Sequence, residues 1–321
     1  MTSRPPPLIH IGYHKTATTY LQNTVFASKD LFSAPWGTQS GPAVEHFVLA
    51  HPERFDPAQI RADFYAGYDS GGPGVPVISH EQLSGDPMYG AYYLDRVAGR
   101  IRDCFPEARI LIGVREQKSA ILSLYYQYIR QGGTRHLQDM LVASRDGPGF
   151  RPVIRLDHFE YDLTIATYQR LFSPENVCAL PMELLYRAPD DYARILGRFA
   201  GLSEPMPLPR QVVNAARTAT SMRVERLLNG WINVPDLRAE TYSDNPLSFR
   251  LKNRALRYLD QGLLAVAGKP HRKYLSDTVS AVVGPAFAQS NQRLSALTGY
   301  DLAALGYDCG AAVRSQDRSA S

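Results

Sequence analysis

Apolar positions along this chain fall into short unbroken runs that alternate with stretches of helical spacing. Residues 8–11 form the first run, closed by Gly12, and Leu21 with Val25 begins a helical spacing soon afterwards. Strand, tight turn and helix follow from that order. The stretch 33–74 is rich in Gly, Pro and Asp with small apolar patches, which predicts small helices and loops over one edge of a sheet, Trp36 serving as core or pocket wall. Val75–Ser79 reads as a second buried strand, with Gly71, Gly72, Pro73 and Gly74 as the breaker before it and His80 and Glu81 directly behind it. Leu94, Val97 and Ile101 share one face of a helix, and Arg109–Val114 is a third strand after Phe105 and Pro106. Ile121, Leu122, Leu124, Tyr125, Tyr128 and Ile129 predict a long helix over Gln117–Arg130, stopped by Gly132 and Gly133, and tyrosines at this spacing belong to a core. Residues 139–159 read as loop, 162–171 as an amphipathic helix, Val177–Pro181 as a fourth strand and 192–199 as another helix. A last helix over 277–297 carries Val279, Val282, Val283, Phe287, Leu294 and Leu297.

Repeated strand, helix, strand units predict an α/β fold of three layers, a central parallel sheet flanked by helices. Such a sheet takes its ligand at the carboxyl ends of its strands. Lys15, Glu81 and Arg115 each lie just past a predicted strand, so all three are expected on one rim.

Composition narrows this picture moderately. With 321 residues, 44% of them hydrophobic, the chain suits a single domain over 1–310, its nucleotide-sized core at 8–133 and 175–200 and a mostly helical part at 208–307. The tail 311–321 is small, polar and expected to be disordered. A net charge of +4 favours an anionic ligand but falls short of the dense basic face of a nucleic-acid binder. The basic run Arg250, Lys252, Arg254, Arg257, Lys269, Arg272 and Lys273 reads as a solvated face. Cys104, Cys178 and Cys309 are too few and too scattered for a disulfide framework or a metal site and are expected to be packing residues. No stretch approaches a membrane span and no leader-like apolar region precedes the first strand, so the expectation is a cytoplasmic protein without stable membrane insertion.

Candidate chemistry begins at Gly12-Tyr13-His14-Lys15-Thr16-Ala17-Thr18-Thr19-Tyr20. A helix starting here turns unpaired backbone N–H groups and its positive dipole end towards the turn, a natural seat for phosphate, with Lys15 adding a full charge and the threonines hydroxyl donors. The spacing is not that of nucleotide hydrolases, Gly-x-x-x-x-Gly-Lys-Ser/Thr, because His14 precedes Lys15 and the second glycine is missing. Lys-Thr-Ala-Thr-Thr-Tyr directly after a strand and glycine instead resembles the 5′-phosphosulfate loop of sulfotransferases, with Ala17 where that family usually has glycine. Ala17 fits if its dihedrals are helical and is strained if φ must be positive. Arg115 and Ser123, separated by seven residues across a strand exit and the next helix, can converge on one phosphate, the guanidinium forking onto two oxygens. That pair resembles the 3′-phosphate motif of the same family, and the stretches around 180–185 and 290–307 look like its bacterial carbohydrate-type members.

The resemblance implies a P-loop-like fold and 3′-phosphoadenosine 5′-phosphosulfate as donor. It assigns Gly12, His14, Lys15, Thr16, Ala17, Thr18 and Thr19 to the 5′-phosphate, Tyr20 to adenine stacking or equally to the core, and Arg115 with Ser123 to the 3′-phosphate. The late 3′-phosphate loop of the eukaryotic cytosolic members has no counterpart; Arg210 and Arg217 are candidate replacements. No metal is expected, since a monoanionic sulfuryl group needs less neutralisation than a γ-phosphate and Lys15 suffices. The acceptor is expected to be a hydroxyl, of a saccharide or glycolipid, deprotonated by a base next to the second strand. Adjacent residues at a strand end point to opposite sides, so only one of His80 and Glu81 faces the rim. Glu81 is the choice, because the carbohydrate-type members place a glutamate there. A nucleotide kinase or NTPase and a non-catalytic nucleotide-binding module are the competing readings.

Overall fold

The computed structural model describes residues 4–71, 74–88, 90–142, 154–203, 206–209, 219–232, 251, 254, 256 and 263–310. Five strands, β1 (Leu8–His10), β2 (Phe32–Ser33), β3 (Val75–Ser79), β4 (Arg109–Val114) and β5 (Val177–Pro181), form one sheet in the order β2-β3-β1-β4-β5. Every pairing is parallel. The fold is therefore α/β with a central parallel sheet, as the alternating pattern predicts.

Side-chain alternation explains why these strands read as unbroken apolar runs. Leu8, Val77, Leu111 and Leu180 pack into one core, while Ile9, Ile78, Ile110 and Ile112 pack into the other on the opposite face. A parallel sheet covered by helices on both sides demands apolar residues at both phases of the pleat. The helices Leu94–Cys104, Gln117–Arg130 and Tyr161–Phe172 supply the larger core, Pro189–Ala200 the smaller one. Tyr125, Tyr128, Tyr161 and Tyr168 are buried, so the tyrosine stripe is packing.

Three expectations need correction. The stretch 33–74 does cover one edge, but Phe32–Ser33 pairs with β3 as an edge strand too short to show a period, and Pro57–Gly71 is a full helix of 15 residues rather than a small one. The helix expected over 277–297 is two, Leu263–Val283 and Ala288–Thr298, because Gly284 turns to φ 53° and Pro285 has no N–H to continue the ladder. The loop expected over 139–159 contains a helical turn at Leu137–Leu141 and another at Leu156–Phe159. The tail 311–321 lies outside the described residues, as do Arg250, Lys252 and Arg257. All three cysteines are free thiols. Among the described residues no helix is long and apolar enough to cross a membrane.

Candidate active site

Since all five strands run the same way, the segments that follow β1, β3, β4 and β5 emerge on one rim. β1 is central, and the loop behind it stays tied to β4: Tyr13 N–H donates to the Gly113 carbonyl at 3.1 Å and Gly113 N–H to the Gly12 carbonyl at 2.8 Å. Two glycines allow this closeness. A Cβ on Gly12, whose φ is 93°, would stand 2.9 Å from the Glu81 Cα, and one on Gly113 would stand 2.8 Å from the Thr16 Oγ1. The loop is wedged between the ends of β3 and β4.

Within it Lys15 and Ala17 both take left-handed dihedrals, φ 65° and 66°. Ala17 therefore occupies the conformation that favours glycine, and it does so at a cost. The hydroxyls of Thr16 and Thr18 both donate to the Tyr13 carbonyl, at 2.6 and 3.1 Å, which knots the turn. What Thr18 has left for a ligand is its backbone. Thr16 closes a turn on Tyr13, and among the described residues no carbonyl accepts from the N–H groups of residues 14, 15 and 17–19. Successive free N–H groups in a turn of this kind form a concave nest with affinity for an anion. Thr19 is exposed beside it.

Positive side chains reinforce the nest. Arg115 donates from Nη1 to the Lys15 carbonyl at 3.2 Å. Burial pushes the Lys15 ammonium down to about 8, and the charges of Arg130 and then Arg115 act in the same direction, opposed by Glu81. An anion placed there would relieve the like-charge repulsion. Arg115 is held firmly, because the Glu116 carboxylate caps the next helix by accepting from Lys118 N–H (2.9 Å) and Ser119 N–H (2.8 Å), while Glu183 accepts from Glu116 N–H at 2.9 Å and from the Tyr307 hydroxyl at 3.0 Å. A buried amide pair, Gln117 to Asn291 at 2.6 Å, ties the same helix start to the helix Ala288–Thr298. Ser123 follows on that helix, half-buried.

Glu81 and His80 part as expected for neighbours at a strand end. The His80 ring folds back, its Nδ1 accepting from Gln82 N–H at 3.1 Å as the cap of the turn Glu81–Ser84. Burial lowers its pKa while the Glu81 charge raises it. The Glu81 Oε2 accepts from Gln22 Nε2 at 3.5 Å, and the same Gln22 nitrogen reaches the Ser79 carbonyl and hydroxyl at 3.3 Å. His10, buried behind, meets the Ser79 hydroxyl at 2.9 Å and is driven by burial to about 3, so it is neutral. His14 is also neutral, pushed down to about 4 by burial, with Glu81 pulling the other way and His158, Lys15 and His80 adding to the burial. Its buried Nδ1 has no partner among the described residues.

Lys15, Glu81, His14, His80 and Arg115 thus gather on one rim. Tyr20 does not join them: it lies in the smaller core, 9% exposed, and its hydroxyl donates to the Pro209 carbonyl at 2.8 Å. Arg210 and Arg217 fall outside the described residues. Two neighbours of the site carry no sequence signal. Gln22 is hidden in a helical apolar stretch, and His158 comes from a distant segment to stack edge-on against Tyr13 at 4.9 Å.

No family model matches the chain, and no curated protein matches it. Among solved structures it is similar to the sulfotransferase from Alicyclobacillus acidocaldarius, at 19% identity and TM-score 0.47, over 83% of this chain and 99% of that one. It is also similar to the sulfotransferase domain of the Synechococcus PCC 7002 olefin synthase, at 13% identity and TM-score 0.39, over 87% of this chain and 97% of that one. At these identities and scores the functional reading stands on the residues of the rim.

Proposed function

We propose that the protein transfers a sulfuryl group from 3′-phosphoadenosine 5′-phosphosulfate to a hydroxyl acceptor. The observation that carries this reading is the nest of N–H groups in the loop at residues 14–19, with Lys15 inside it, wedged against Glu81 on one side and braced by Arg115 on the other. The nest and Lys15 suit the 5′-phosphate, and Arg115 with Ser123 suits the 3′-phosphate. Lys15 neutralises charge that gathers on the phosphate oxygen as its bond to sulfur breaks. Glu81 takes the acceptor's proton as the new oxygen–sulfur bond forms. Adenosine 3′,5′-bisphosphate leaves. Positioning and charge stabilisation supply most of the acceleration in transfers of this type. A saccharide or glycolipid is the acceptor class favoured by the resemblance of the stretches around 180–185 and 290–307 to carbohydrate-type enzymes.

Calorimetry with adenosine 3′,5′-bisphosphate is the direct test, followed by turnover with labelled donor and cell-envelope extracts in EDTA. Tight binding and undiminished turnover are expected. Absence of bisphosphate binding would sink the reading, and a strict magnesium requirement would move it to a kinase.

Arg115→Ala is expected to erase discrimination between donors with and without the 3′-phosphate, losing roughly ten- to a hundredfold on the phosphorylated one, as for a lost charge-assisted fork. Competition binding with adenosine 5′-phosphate against the bisphosphate reads this. An unchanged preference would make Arg115 a brace for the Lys15 carbonyl and nothing more.

A further inference from the structure

The helix Ala219–Ile232 is turned inside out. It buries Ser221, Glu225 and Asn229, which recur every fourth position on its inner face, with Met222 beside them. Its outer face carries Leu227, Leu228 and Trp231, which are 54%, 37% and 88% exposed. Arg223, exposed one turn before Leu227, heads the same stripe, since side chains three and four apart are neighbours on a helix. An apolar stripe bordered by polar residues marks a contact surface. Hydrogen bonds show what lies along its flank. Asn229 donates from Nδ2 to the Ile129 and Gly133 carbonyls at 2.8 and 2.9 Å, and Arg226 donates from Nη1 to the Thr134 carbonyl at 3.2 Å and meets His136 Nε2 at the same distance. These bonds lay the segment 129–136 along the helix and bring the exposed Arg130 and Arg135 beside Arg226 and Arg223. Across 129–141 and the helix, Asp139 is the single exposed acid against those four arginines.

We propose that this face docks on an anionic phospholipid surface, with Leu227, Leu228 and Trp231 entering the headgroup layer while the arginines beside them meet lipid phosphates. The proposal goes beyond the transfer reading and does not rest on it. Charge separates the possible occupants. A second copy in a two-fold contact would set this face against itself, where the arginines find no counter-charge. An acidic protein supplies counter-charge but holds an aromatic anchor in a fitted pocket. A bilayer interface needs no shaped partner and takes an indole that stands clear of its own chain, and cations next to an apolar helix face add electrostatic attraction to the apolar term.

The test uses vesicles of phosphatidylcholine with about one-third phosphatidylglycerol against vesicles of phosphatidylcholine alone, read by co-sedimentation and by tryptophan emission. The chain has two tryptophans, and Trp36 packs edge-on against Phe64 with ring centroids 5.0 Å apart, so a change of emission on docking reports Trp231. Wild type is expected to bind the anionic vesicles at least about tenfold more tightly than the neutral ones, with a blue shift of emission, and to loosen as salt rises. Leu227→Ser with Trp231→Ser is expected to lose at least about tenfold in binding together with the blue shift. Arg130→Gln with Arg223→Gln is expected to lose about tenfold on anionic vesicles and nothing on neutral ones. All four positions are exposed, so melting temperatures should stay at the wild-type value. A wild type that ignores anionic vesicles or binds both kinds equally, variants that bind as wild type does, or an emission unmoved on binding each overturns the proposal. So does a wild-type dimer in sedimentation equilibrium that Trp231→Ser separates into monomers, which gives the face to a second copy. A blue shift with polyglutamate as large as that with vesicles gives it to an acidic protein and overturns the proposal likewise.

Discussion

Lys15→Ala is expected to reduce turnover by at least about a thousandfold and bisphosphate affinity by about tenfold or more, with the fold intact. The first figure is the upper part of the range for removing one group aimed at developing charge, and the second matches the loss of a charge-assisted contact. The fold should survive because Lys15 is only half-buried and its ammonium holds no partner among the described residues. Thermal unfolding checks this, and a melting temperature lowered by more than a few degrees would make the lysine structural. The pH dependence has a fixed sign. Burial and two arginines hold the free ammonium near 8, so the cation that binds phosphate is complete well below that pH and is lost as pH rises through it. Bisphosphate affinity should therefore be level through neutrality and decline above about pH 8, and Lys15→Ala should flatten the profile.

Glu81→Gln is expected to cost at least a hundredfold in kcat while donor affinity changes little, and His80→Asn much less. The geometry motivates the ranking. The Glu81 backbone is in contact range of the loop at Gly12, and its carboxylate meets Gln22, whose amide is anchored on Ser79. His80 spends its Nδ1 on the cap of the turn that carries Glu81, a duty an asparagine oxygen also performs. Rates at saturating donor across pH 6 to 9 decide the matter; the opposite ranking would hand the proton to the histidine.

Strand ends were the most legible part of the chain. Val75–Ser79, Arg109–Val114 and Val177–Pro181 are apolar runs between breakers, and a parallel sheet buried on both faces requires nothing else of them. Their shared direction puts Lys15, Glu81 and Arg115 on one rim without any knowledge of side-chain contacts. The pattern does not reach Phe32–Ser33, which borrows its strand from β3, or the division at Gly284 and Pro285, where apolar spacing continues across a broken helix. Nor does it reach Gln22 and His158, because a residue brought near by tertiary packing leaves no local period. Tyr20 illustrates the converse: a motif position fixes where a residue begins, while the surrounding core decides where its ring ends.

Lys15 and Ala17 hold left-handed dihedrals without being glycine, at about 1–2 kcal/mol each. That cost falls on folding, where the threonine knot on the Tyr13 carbonyl and the wedge between β3 and β4 oppose it. An alanine has far fewer backbone states to lose than a glycine. A glycine at position 17 would ease the folded chain and leave a looser cradle, whose ordering each incoming anion would have to drive. With alanine the disorder is removed once, when the chain folds, and the ligand's binding entropy is spared it at every encounter.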